Sequence, residues 1–493
     1  MEPLLMSNQR SPQPANAGQN ASGNGTRQLP QIRNSIYEIF VDRFAGPGGV
    51  ALQATAPTGK PWHHHCGGTL DGISAHIDYI QSLGADAIYL TPIFRAPSNH
   101  KYDASTYEHI EERFGGDTAF DQLAEHCASR GMGLILDGVF NHVGVEHHWF
   151  HEAKSDVAAA RRDHFKWNGH PHGYECWRGH STLPELNLAN PEVRDALFEG
   201  EQSVIRHWLQ RGATGWRLDC ANDLGMQMCA LAAEAAHREQ PRDGVIGEIM
   251  TYAEQWLTQG GLDGVMNYYF RETVLALANG EIPVAQAAYN FKRMARRYPH
   301  EALLRSWNML ASHDTPRLAT EVPDRARRRM AQVLQYAFPG TPMIYYGEEI
   351  GMQGGKDPDC RRPMQWDAAQ QDQQTLQLLS TLNAFRRSHP ALTHGEYLPL
   401  PQPGAPGILA FARVTEVPSE LVVVIANASD GPFHGRVFTP YSYLFDGLKL
   451  SDLLESEEGV SVAAGSILPK LGPWGIALYA PEDKIAGYSF FRQ

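Results

Sequence analysis

Four short segments of this sequence combine a carboxylic acid with a histidine, an arginine or an apolar strand end: 137–142 (DGVFNH), 215–219 (GWRLD), 247–249 (GEI) and 312–314 (SHD). Polar side chains that follow long apolar strands need a partner or a function. Taken singly, each segment is explained equally well by a structural arginine–carboxylate network. Taken together, the four predict a site in which carboxyl groups carry out acid–base or nucleophilic chemistry.

Two carboxyl groups in these segments are expected to differ in protonation. Arg217 and Asp219 are two residues apart on a predicted strand, so their side chains project to the same face. The guanidinium should favour the ionised form of Asp219, which suits a nucleophile. Glu248 stands among apolar neighbours such as Val245 and Ile249, and this setting should keep it protonated, which suits a general acid. Cleavage of a glycosidic bond requires such a pair.

Eight short apolar runs alternate with amphipathic stretches from Ser35 onward, and in one stretch Ile73, Ile77 and Ile80 recur at helical spacing. The runs are nearly continuous in apolar character, as in parallel strands buried on both faces. This pattern predicts an α/β fold, a closed (β/α)8 TIM barrel. A doubly wound open sheet is the alternative, but no GxGxxG motif opens a helix. The predicted strands are 36–40, 87–93, 133–140, 215–219, 245–249, 264–268, 308–314 and 342–349.

Composition along the chain divides it into segments. A Pro-, Asn- and Gly-rich start predicts a disordered tail, and a His- and Trp-rich stretch after the third strand predicts a small insert over the barrel mouth. Short β-like runs near the carboxyl end predict an antiparallel β domain. The predicted segments are a tail (1–34), the first barrel part (35–142), the inserted subdomain B (143–182), the second barrel part (183–394) and a C-terminal β-sandwich domain (395–493).

Charge and cysteine usage limit the partners. The chain has 493 residues and a net charge of −13, from 42 basic and 55 acidic side chains, so we expect neither nucleic acid nor a membrane surface as partner. No apolar run approaches the length of about 18 residues that reads as a membrane span, and the amino terminus lacks the features of a signal peptide. Six cysteines without CxxC spacing indicate reduced thiols and a cytoplasmic protein. The oligomeric state stays open.

The four chemistry-bearing segments also carry a family resemblance. In the order 137–142, 215–223, 247–249 and 312–317 they resemble the signature segments of the α-amylase family, glycoside hydrolase family 13, and LPELN (183–187) resembles its additional short motif. The resemblance covers roughly residues 35–370. Within the family the likeness is greatest to the neopullulanase and cyclomaltodextrinase group, through the segments PIFRAPSNHKYD (92–103), WRLDCAND (216–223), VMNYYF (265–270), YYGEEIGMQGG (345–355) and DPDCRRPMQW (357–366).

The resemblance implies a role for each matching residue. Asp219 would be the nucleophile that forms a β-glycosyl-enzyme, Glu248 the general acid and then the general base, and Asp314 the group that braces the distorted sugar. The implied sugar-binding residues are His100, Tyr102, His142, Arg217, His313, Asp357 and Arg361. The residue types agree with this reading, because sugars offer apolar faces for aromatic stacking and hydroxyl groups for charged hydrogen-bonding partners.

The sequence departs from the neopullulanase group in three places. That group usually has a β domain before the barrel, whereas the first strand is expected here near Ile36, so we expect that domain to be absent. The loop after the first strand lacks the alternating Asp and Asn ligands found in some relatives, so we expect no calcium there and no other cofactor. Met250 stands where relatives often have Trp, which implies an altered acceptor side.

Several residues have two interpretations. The insert has three tryptophans that could be either sugar platforms or its own core: Trp149, Trp167 and Trp177. The eighth strand ends in Glu348 and Glu349, which could be either cleft residues or structural residues. The histidines of the insert and the triplet 63–65 favour solvated or sugar-contacting roles over zinc, since no paired Cys or HExxH motif accompanies them.

The cysteine that follows the predicted nucleophile has a structural interpretation. On a strand, Cys220 should face away from Asp219 and pack against the helix layer.

The functional hypothesis is a retaining α-glycoside hydrolase that cleaves α-1,4-glucosidic bonds in maltooligosaccharides, cyclodextrins or pullulan, with or without transglycosylation. An α-glucosidase or α-glucosyltransferase of the same family is the nearest alternative. A non-catalytic carbohydrate-binding barrel would be expected to lose at least one of Asp219, Glu248 and Asp314, and this chain keeps all three. A metal-dependent barrel hydrolase that uses the histidine clusters is the remaining alternative.

Overall fold

The computed structural model describes residues 32–53, 63–168, 172–239, 244–455 and 459–482. The predicted disordered tail (1–34) lies outside these residues except for 32–34. His170 of the insert also lies outside the described residues. At that end the prediction extends too far, because Asn34 is buried and its backbone N–H donates to Asp86 Oδ2 at 2.7 Å. This contact fixes the chain just before it enters the first strand.

The eight predicted strands form a closed parallel barrel, which confirms the TIM barrel and excludes the open sheet. The barrel closes where Ile36 pairs with both Ala87 of the second strand and Met343 of the eighth. Every strand residue is buried, as expected for strands covered on both faces. The strands are β1 (Ile36–Ile39), β2 (Ala87–Leu90), β3 (Gly133–Gly138), β4 (Gly215–Leu218), β5 (Val245–Ile249), β6 (Gly264–Asn267), β7 (Trp307–Asn308) and β8 (Thr341–Tyr345).

Strand β7 is much shorter than the predicted run 308–314. After Asn308 the chain leaves the ladder, and the backbone N–H of Ser312 donates to Thr315 Oγ1 at 2.9 Å. The segment that carries His313 and Asp314 is therefore a turn at the barrel mouth, and its side chains need not alternate as they would on a strand.

Helices surround the barrel and also occur in its loops. The longer ones have one buried apolar stripe; in Gly116–Ser129, for example, Phe120, Leu123 and Cys127 are buried. No helix among the described residues is long and apolar enough to cross a bilayer. The α-helices are Val41–Phe44, Leu70–Ala75, Ile77–Ser82, Gly116–Ser129, His148–Ser155, Pro191–Arg194, Val204–Gln210, Ala221–Leu224, Met226–Glu239, Glu254–Thr258, Tyr268–Ala278, Val284–Arg297, His300–Arg305, Leu318–Glu321, Arg325–Ala337, Gln373–Ser388, Pro390–His394 and Ser442–Phe445.

Among its described residues, the insert after β3 has one α-helix, His148–Ser155, two short 3-10 helices and isolated bridges in place of a sheet. Its small aromatic core includes Phe150, which packs edge-on against Phe165 and Tyr174 at ring-centroid distances of 5.0 and 4.9 Å. A bridge between His142 and Glu185 joins its two ends. The insert is therefore anchored directly beside the end of β3, where it overhangs the barrel mouth.

The carboxyl-terminal part is an antiparallel sheet in the order β15-β14-β18-β11-β10-β9, with two two-stranded sheets, β12-β17 and β13-β16. Both faces of its central strand are buried: Val424 packs towards the barrel core, whereas Val423 and Ile425 pack against Val437 and Ile467 of the small sheets. The strands are β9 (Glu396–Pro399), β10 (Ile408–Val414), β11 (Val422–Asn427), β12 (Phe433–His434), β13 (Val437–Phe438), β14 (Lys449–Asp452), β15 (Gly459–Ser461), β16 (Ser466–Ile467), β17 (Lys470–Leu471) and β18 (Ile476–Pro481).

Candidate active site

A cavity of about 560 Å³ opens at the carboxyl ends of the barrel strands. Asp219 directly follows β4, Glu248 lies in β5 and Asp314 follows β7, and all three carboxyl groups line the cavity. Parallel strands bring their carboxyl ends to one face of a barrel, which explains why residues far apart in sequence meet here. The lining residues are His100, Tyr102, Asp103, His142, Trp177, Arg178, His180, Thr182, Leu183, Asp219, Cys220, Asn222, Asp223, Glu248, Met250, Asp314, Asp357 and Arg361.

Arg217 joins the carboxyl groups from below and is completely buried. Its Nη1 donates to Asp137 Oδ1 and to Asp219 Oδ1, each at 2.9 Å. Its Nη2 lies 2.9 Å from Glu248 Oε2. One guanidinium therefore compensates several buried carboxyl groups, as a buried charge requires. Asp137 lies in one of the chemistry-bearing segments but had no predicted role; its buried contact with Arg217 places it in the site.

The expected protonation of Glu248 is confirmed. Burial raises its pKa to about 7, because desolvation disfavours the charged form, while the contact with Arg217 acts in the opposite direction. The backbone N–H of Cys220 donates to Glu248 Oε2 at 2.7 Å and fixes the carboxyl group beside Asp219. Near neutral pH this side chain can both hold a proton and release it.

Two effects act in opposite directions on the pKa of Asp219. Arg217 does lower the pKa of this carboxyl group, as predicted, but burial raises it by more, so the net direction is upward. Asp219 is only 7% exposed, and the charge of Asp314 adds to the upward shift. Burial depth cannot be read from the spacing of two residues on a strand, and here it outweighs the neighbouring guanidinium.

His313 is a buried cation held between two acids. Its Nδ1 contacts Glu38 Oε1 at 2.5 Å, and its Nε2 lies 3.0 Å from Asp314 Oδ2. Burial alone lowers the pKa of His313, but Asp314 and Glu38 outweigh that effect and raise the pKa to about 10. The imidazolium therefore lies behind the cavity wall as a fixed positive charge. Sequence reasoning missed Glu38, whose partner is 275 residues away along the chain.

Asp314 is ionised by its neighbours. Burial raises its pKa, but His313 and Arg361 outweigh that effect, and the net shift is strongly downward. Arg361 Nη2 donates to Asp314 Oδ1 at 2.9 Å, and Nη1 of the same guanidinium lies 3.0 Å from Asp357 Oδ1. Asp314, predicted as a catalytic residue, and Asp357 and Arg361, predicted as substrate contacts, thus form one charged wall of the cavity.

Glu38 gives a test of this network. We expect Glu38→Gln to lower the free energy of unfolding by about 3 kcal/mol near pH 6, because it leaves a buried imidazolium with one acid fewer. His313 has a folded pKa of about 10, above its ordinary value of 6.5. The stabilisation is therefore complete below about pH 6.5 and is lost as the pH rises towards 10. Urea denaturation at several pH values measures both effects.

An exposed glutamate serves as the matched control for that variant. Glu234 pairs with Arg238 on the surface of a helix, so Glu234→Gln should change the unfolding free energy by less than about 0.5 kcal/mol. Equal losses in the two variants, or a Glu38→Gln effect that grows with pH, would contradict the account of His313.

Aromatic and histidine rings form the other wall. Tyr102 stacks on His313 with ring centroids 5.7 Å apart, and its hydroxyl donates to Asp137 Oδ2 at 2.9 Å. His142 lines the cavity, and burial lowers its pKa to about 4, so its ring is neutral at pH 7. The backbone N–H of Tyr102 donates to His100 Nδ1 at 3.1 Å. All ten residues predicted for the site therefore come together; Arg217 and His313 lie behind its lining.

The three tryptophans of the insert have different environments. Trp149 is buried, and Trp167 is partly buried and packs against the same hydrophobic cluster, so both belong to the core of the insert. Trp177 instead lines the cavity, stacks on His142 with centroids 5.2 Å apart and donates from Nε1 to Asp223 Oδ2 at 2.9 Å. One of the three is therefore positioned as a platform.

Trp177 provides a second test. Trp177→Ala should raise KM for maltotriose about tenfold, equal to about 1.4 kcal/mol, through loss of an apolar face for the sugar. Trp177→Phe keeps a ring but loses the hydrogen bond to Asp223, and its KM should stay within about threefold of the wild-type value. Steady-state kinetics measures both; an unchanged KM in the alanine variant would remove Trp177 from the binding site.

Cys220 does not pack against the helix layer as predicted. Strand β4 ends at Leu218, and Cys220 has a left-handed backbone with φ 36° and ψ 49°. The alternation of a strand therefore does not apply to it, and the residue lines the cavity. A non-glycine residue in this backbone region is uncommon and requires support from its surroundings.

Glu348 and Glu349 are structural rather than cleft residues. Glu348 Oε1 accepts from Arg317 Nη1 at 3.2 Å, and Glu349 Oε1 accepts from the hydroxyl groups of Tyr37 and Tyr79 at 2.7 and 2.8 Å. Neither residue lines the cavity at the barrel mouth.

The closed barrel and the carboxyl groups at its mouth have the fold and the site of a glycoside hydrolase, and a match to an alpha amylase catalytic domain establishes that class for this protein. Within that class, residues 38–377 match the alpha amylase catalytic domain, so the chain belongs to the alpha-amylase family. The resemblance carried by the sequence segments is thereby confirmed.

Relatives within the family act on α-glucans. A cyclomaltodextrinase from Geobacillus thermopakistaniensis is 34% identical over 91% of this chain and 76% of its own length. Neopullulanase 2 from Thermoactinomyces vulgaris is 35% identical over 77% of this chain and 67% of its own length. The crystal structure of a cyclic alpha-maltosyl-(1→6)-maltose hydrolase from Arthrobacter globiformis matches with a TM-score of 0.77 at 29% identity, covering 92% of this chain and 99% of that one.

Proposed function

We propose that the protein is a retaining enzyme that cleaves α-1,4-glucosidic bonds through a covalent intermediate on Asp219. The observation that carries the proposal is the bridge made by Arg217, which contacts both Asp219 and Glu248 at 2.9 Å. Retaining enzymes hold their two carboxyl groups about 5–5.5 Å apart, whereas inverting enzymes leave about 6.5–9.5 Å for a water molecule. A single guanidinium joining both groups favours the shorter separation.

In the first step, an oxygen of the Asp219 carboxylate attacks the anomeric carbon while the bond to the leaving oxygen breaks. Glu248 gives its proton to that oxygen, so the leaving sugar departs neutral. The Asp314 carboxylate, which His313 and Arg361 keep ionised and in place, stabilises the positive charge that develops on the sugar and hydrogen-bonds its hydroxyl groups.

In the second step, Glu248 takes a proton from water as that water attacks the anomeric carbon. The ester bond to Asp219 breaks, its electron pair returns to the carboxylate, and the product has the α configuration. A sugar hydroxyl in place of water gives transglycosylation by the same route. The raised pKa of Glu248, about 7, suits a group that must be acid in one step and base in the next.

The stereochemistry tests the proposal directly. Proton NMR of a maltotriose digest should show the α-anomer of the new reducing end first, with the β-anomer appearing only at the rate of mutarotation. Initial release of the β-anomer would replace the retaining mechanism with an inverting one. Products longer than the substrate at high maltose would show that transglycosylation competes with hydrolysis.

We propose maltooligosaccharides, cyclodextrins and pullulan as substrates. The names of the relatives support cyclic and short α-glucans, and a cavity of about 560 Å³ suits a ligand of a few sugar rings. A product profile on maltotriose, γ-cyclodextrin, pullulan and starch tests this proposal. A preference for starch over γ-cyclodextrin would overturn the substrate class while leaving the chemistry intact.

We also propose a cytoplasmic location. All six cysteines lie in the described part of the chain and none of them is in a disulfide bond there, as expected in a reducing compartment. Fractionation of cells that express the full chain, with the activity assayed in each fraction, tests this location; activity in the medium or the periplasm would contradict it.

A further inference from the structure

Cys220 places a thiol in the catalytic cavity next to two other side chains that can bind a metal ion. A sulfur atom of Cys220, a carboxylate oxygen of Asp219 and a ring nitrogen of His142 all lie within 4.8 Å of one another. All three side chains are buried, with exposures of 8%, 7% and 1%. Among the described residues, this is the set that brings three such donors together. The proposed hydrolysis uses the carboxylate of Asp219 but has no task for the thiol.

The donor types select a particular class of cation. Zinc binds thiolate sulfur at about 2.3 Å, imidazole nitrogen at about 2.0–2.1 Å and carboxylate oxygen at about 2.0–2.2 Å, in a tetrahedral arrangement. With those bond lengths, neighbouring donors are about 3.6 Å apart, so the side chains need to approach by only about 1 Å. A mixed sulfur, nitrogen and oxygen set favours Zn²⁺ or Cu²⁺ over Ca²⁺ and Mg²⁺, which prefer oxygen.

Each donor can reach the cation without breaking the network below it. Arg217 occupies Oδ1 of Asp219, which leaves Oδ2 as the ligand oxygen. Both ring nitrogens of His142 are buried without a hydrogen-bond partner among the described residues, so a nitrogen is available to the cation. The left-handed backbone of Cys220 directs its amide N–H to Glu248, and the residue lines the cavity.

The surrounding charges favour a cation. The acids around this position are Asp103, Asp137, Asp219, Asp223, Glu248 and Asp314, and the basic groups are Arg217, Arg361, His313 and His180. A doubly charged metal ion therefore meets a cluster with more acidic than basic side chains. This balance adds attraction to the affinity of the donors.

We propose that His142, Asp219 and Cys220 form an inhibitory site for a thiophilic divalent cation such as Zn²⁺. On binding, the S–H bond of Cys220 breaks and its proton passes to water, while sulfur, nitrogen and oxygen lone pairs bond to the metal. Water completes the fourth position. The metal then occupies the place of the sugar and holds Asp219 away from the anomeric carbon; this consequence rests on the proposed role of Asp219, whereas the binding itself does not.

Cobalt spectroscopy tests the binding without any need for turnover. Co²⁺ prefers similar donors, and a cobalt–thiolate bond gives an intense near-ultraviolet charge-transfer band. Titration of the metal-free full chain should produce this band with one equivalent of Co²⁺, and Cys220→Ser should abolish it. Cys66→Ser is the matched control, since Cys66 is a partly exposed thiol outside this cavity, and it should keep the band. Cys220→Val provides a second variant if the serine variant fails to fold.

Inhibition of hydrolysis tests the consequence. Zn²⁺ should inhibit wild-type cleavage of maltotriose competitively, and the inhibition constant should rise at least about tenfold in Cys220→Val relative to the wild-type enzyme. Absence of a thiolate band in the wild type, or a band retained in Cys220→Ser, would overturn the site. A Cys220-dependent band without competitive inhibition would overturn its inhibitory role. Failure of the glycosidase proposal itself would show as an absence of cleavage, with the cobalt band still present.

Discussion

Asp219→Asn should reduce kcat for maltotriose by about 10⁴-fold or more, the scale on which enzymes lose activity when a nucleophile is removed. This loss corresponds to about 5 kcal/mol of transition-state stabilisation. The amide has the shape of the carboxylate but cannot form the ester with the anomeric carbon. Arg217 keeps its contacts with Asp137 and Glu248, so its charge remains compensated and the fold should persist.

Asp223→Asn is the matched control for that variant. Asp223 lines the same cavity and accepts a hydrogen bond from Trp177, but no contact links it to Arg217. Its kcat should remain within about tenfold of the wild-type value, because only positioning of the insert is affected. Thermal denaturation of both variants checks that they are folded. Near-wild-type turnover by a folded Asp219→Asn protein would refute Asp219 as nucleophile.

The barrel was predictable from sequence because its strands leave a simple signal. Parallel strands buried on both faces are short apolar runs, and the closed topology places the residues that follow them at one mouth. Asp219, Glu248 and Asp314 could therefore be grouped before any coordinates were known. The prediction of β7 was poorer: residues 309–311 are as apolar as a strand, but the ladder ends at Asn308 and a turn fixed by Ser312 and Thr315 follows.

Other features of the site depend on tertiary geometry that spacing does not encode. Glu38 meets His313 across 275 residues of sequence, and only closure of the barrel brings them together. Cys220 enters the cavity because the chain turns left-handed immediately after Asp219. The pKa of Asp219 depends on a balance between burial and Arg217, and the sequence shows the guanidinium but not the depth.

Glu248→Gln should lower kcat for maltotriose by about 10³-fold, within the range that a positioned general acid contributes. Glutamine can still accept the hydrogen bond from the Cys220 amide, so the cavity should keep its shape. The variant cannot protonate the leaving oxygen of a sugar, which is a poor leaving group. For maltosyl fluoride, whose fluoride departs without full protonation, the first step should be far less affected.

This dependence on the leaving group separates an acid from a residue that only shapes the cavity. With maltosyl fluoride, Glu248→Gln should release a burst of fluoride equal to the enzyme concentration and then turn over slowly, since water lacks its base. Azide needs no base and should accelerate that slow phase. An equal loss on both substrates, with no burst, would show that Glu248 acts by positioning alone.

The pH dependence of the reaction is an independent test of Glu248 as the general acid. In the wild type, kcat/KM for maltotriose should fall as the pH rises through about 7, because Glu248 loses the proton that the leaving oxygen needs. Asp314 is ionised throughout this range, and His313, with a pKa of about 10, stays protonated. Neither residue therefore produces the alkaline limb of the profile, the decline in kcat/KM near pH 7. In Glu248→Gln the limb should disappear when the burst rate with maltosyl fluoride is followed from pH 5 to 9. A limb that survives near pH 7 in the variant would assign the titration to another group and leave Glu248 without its role as acid.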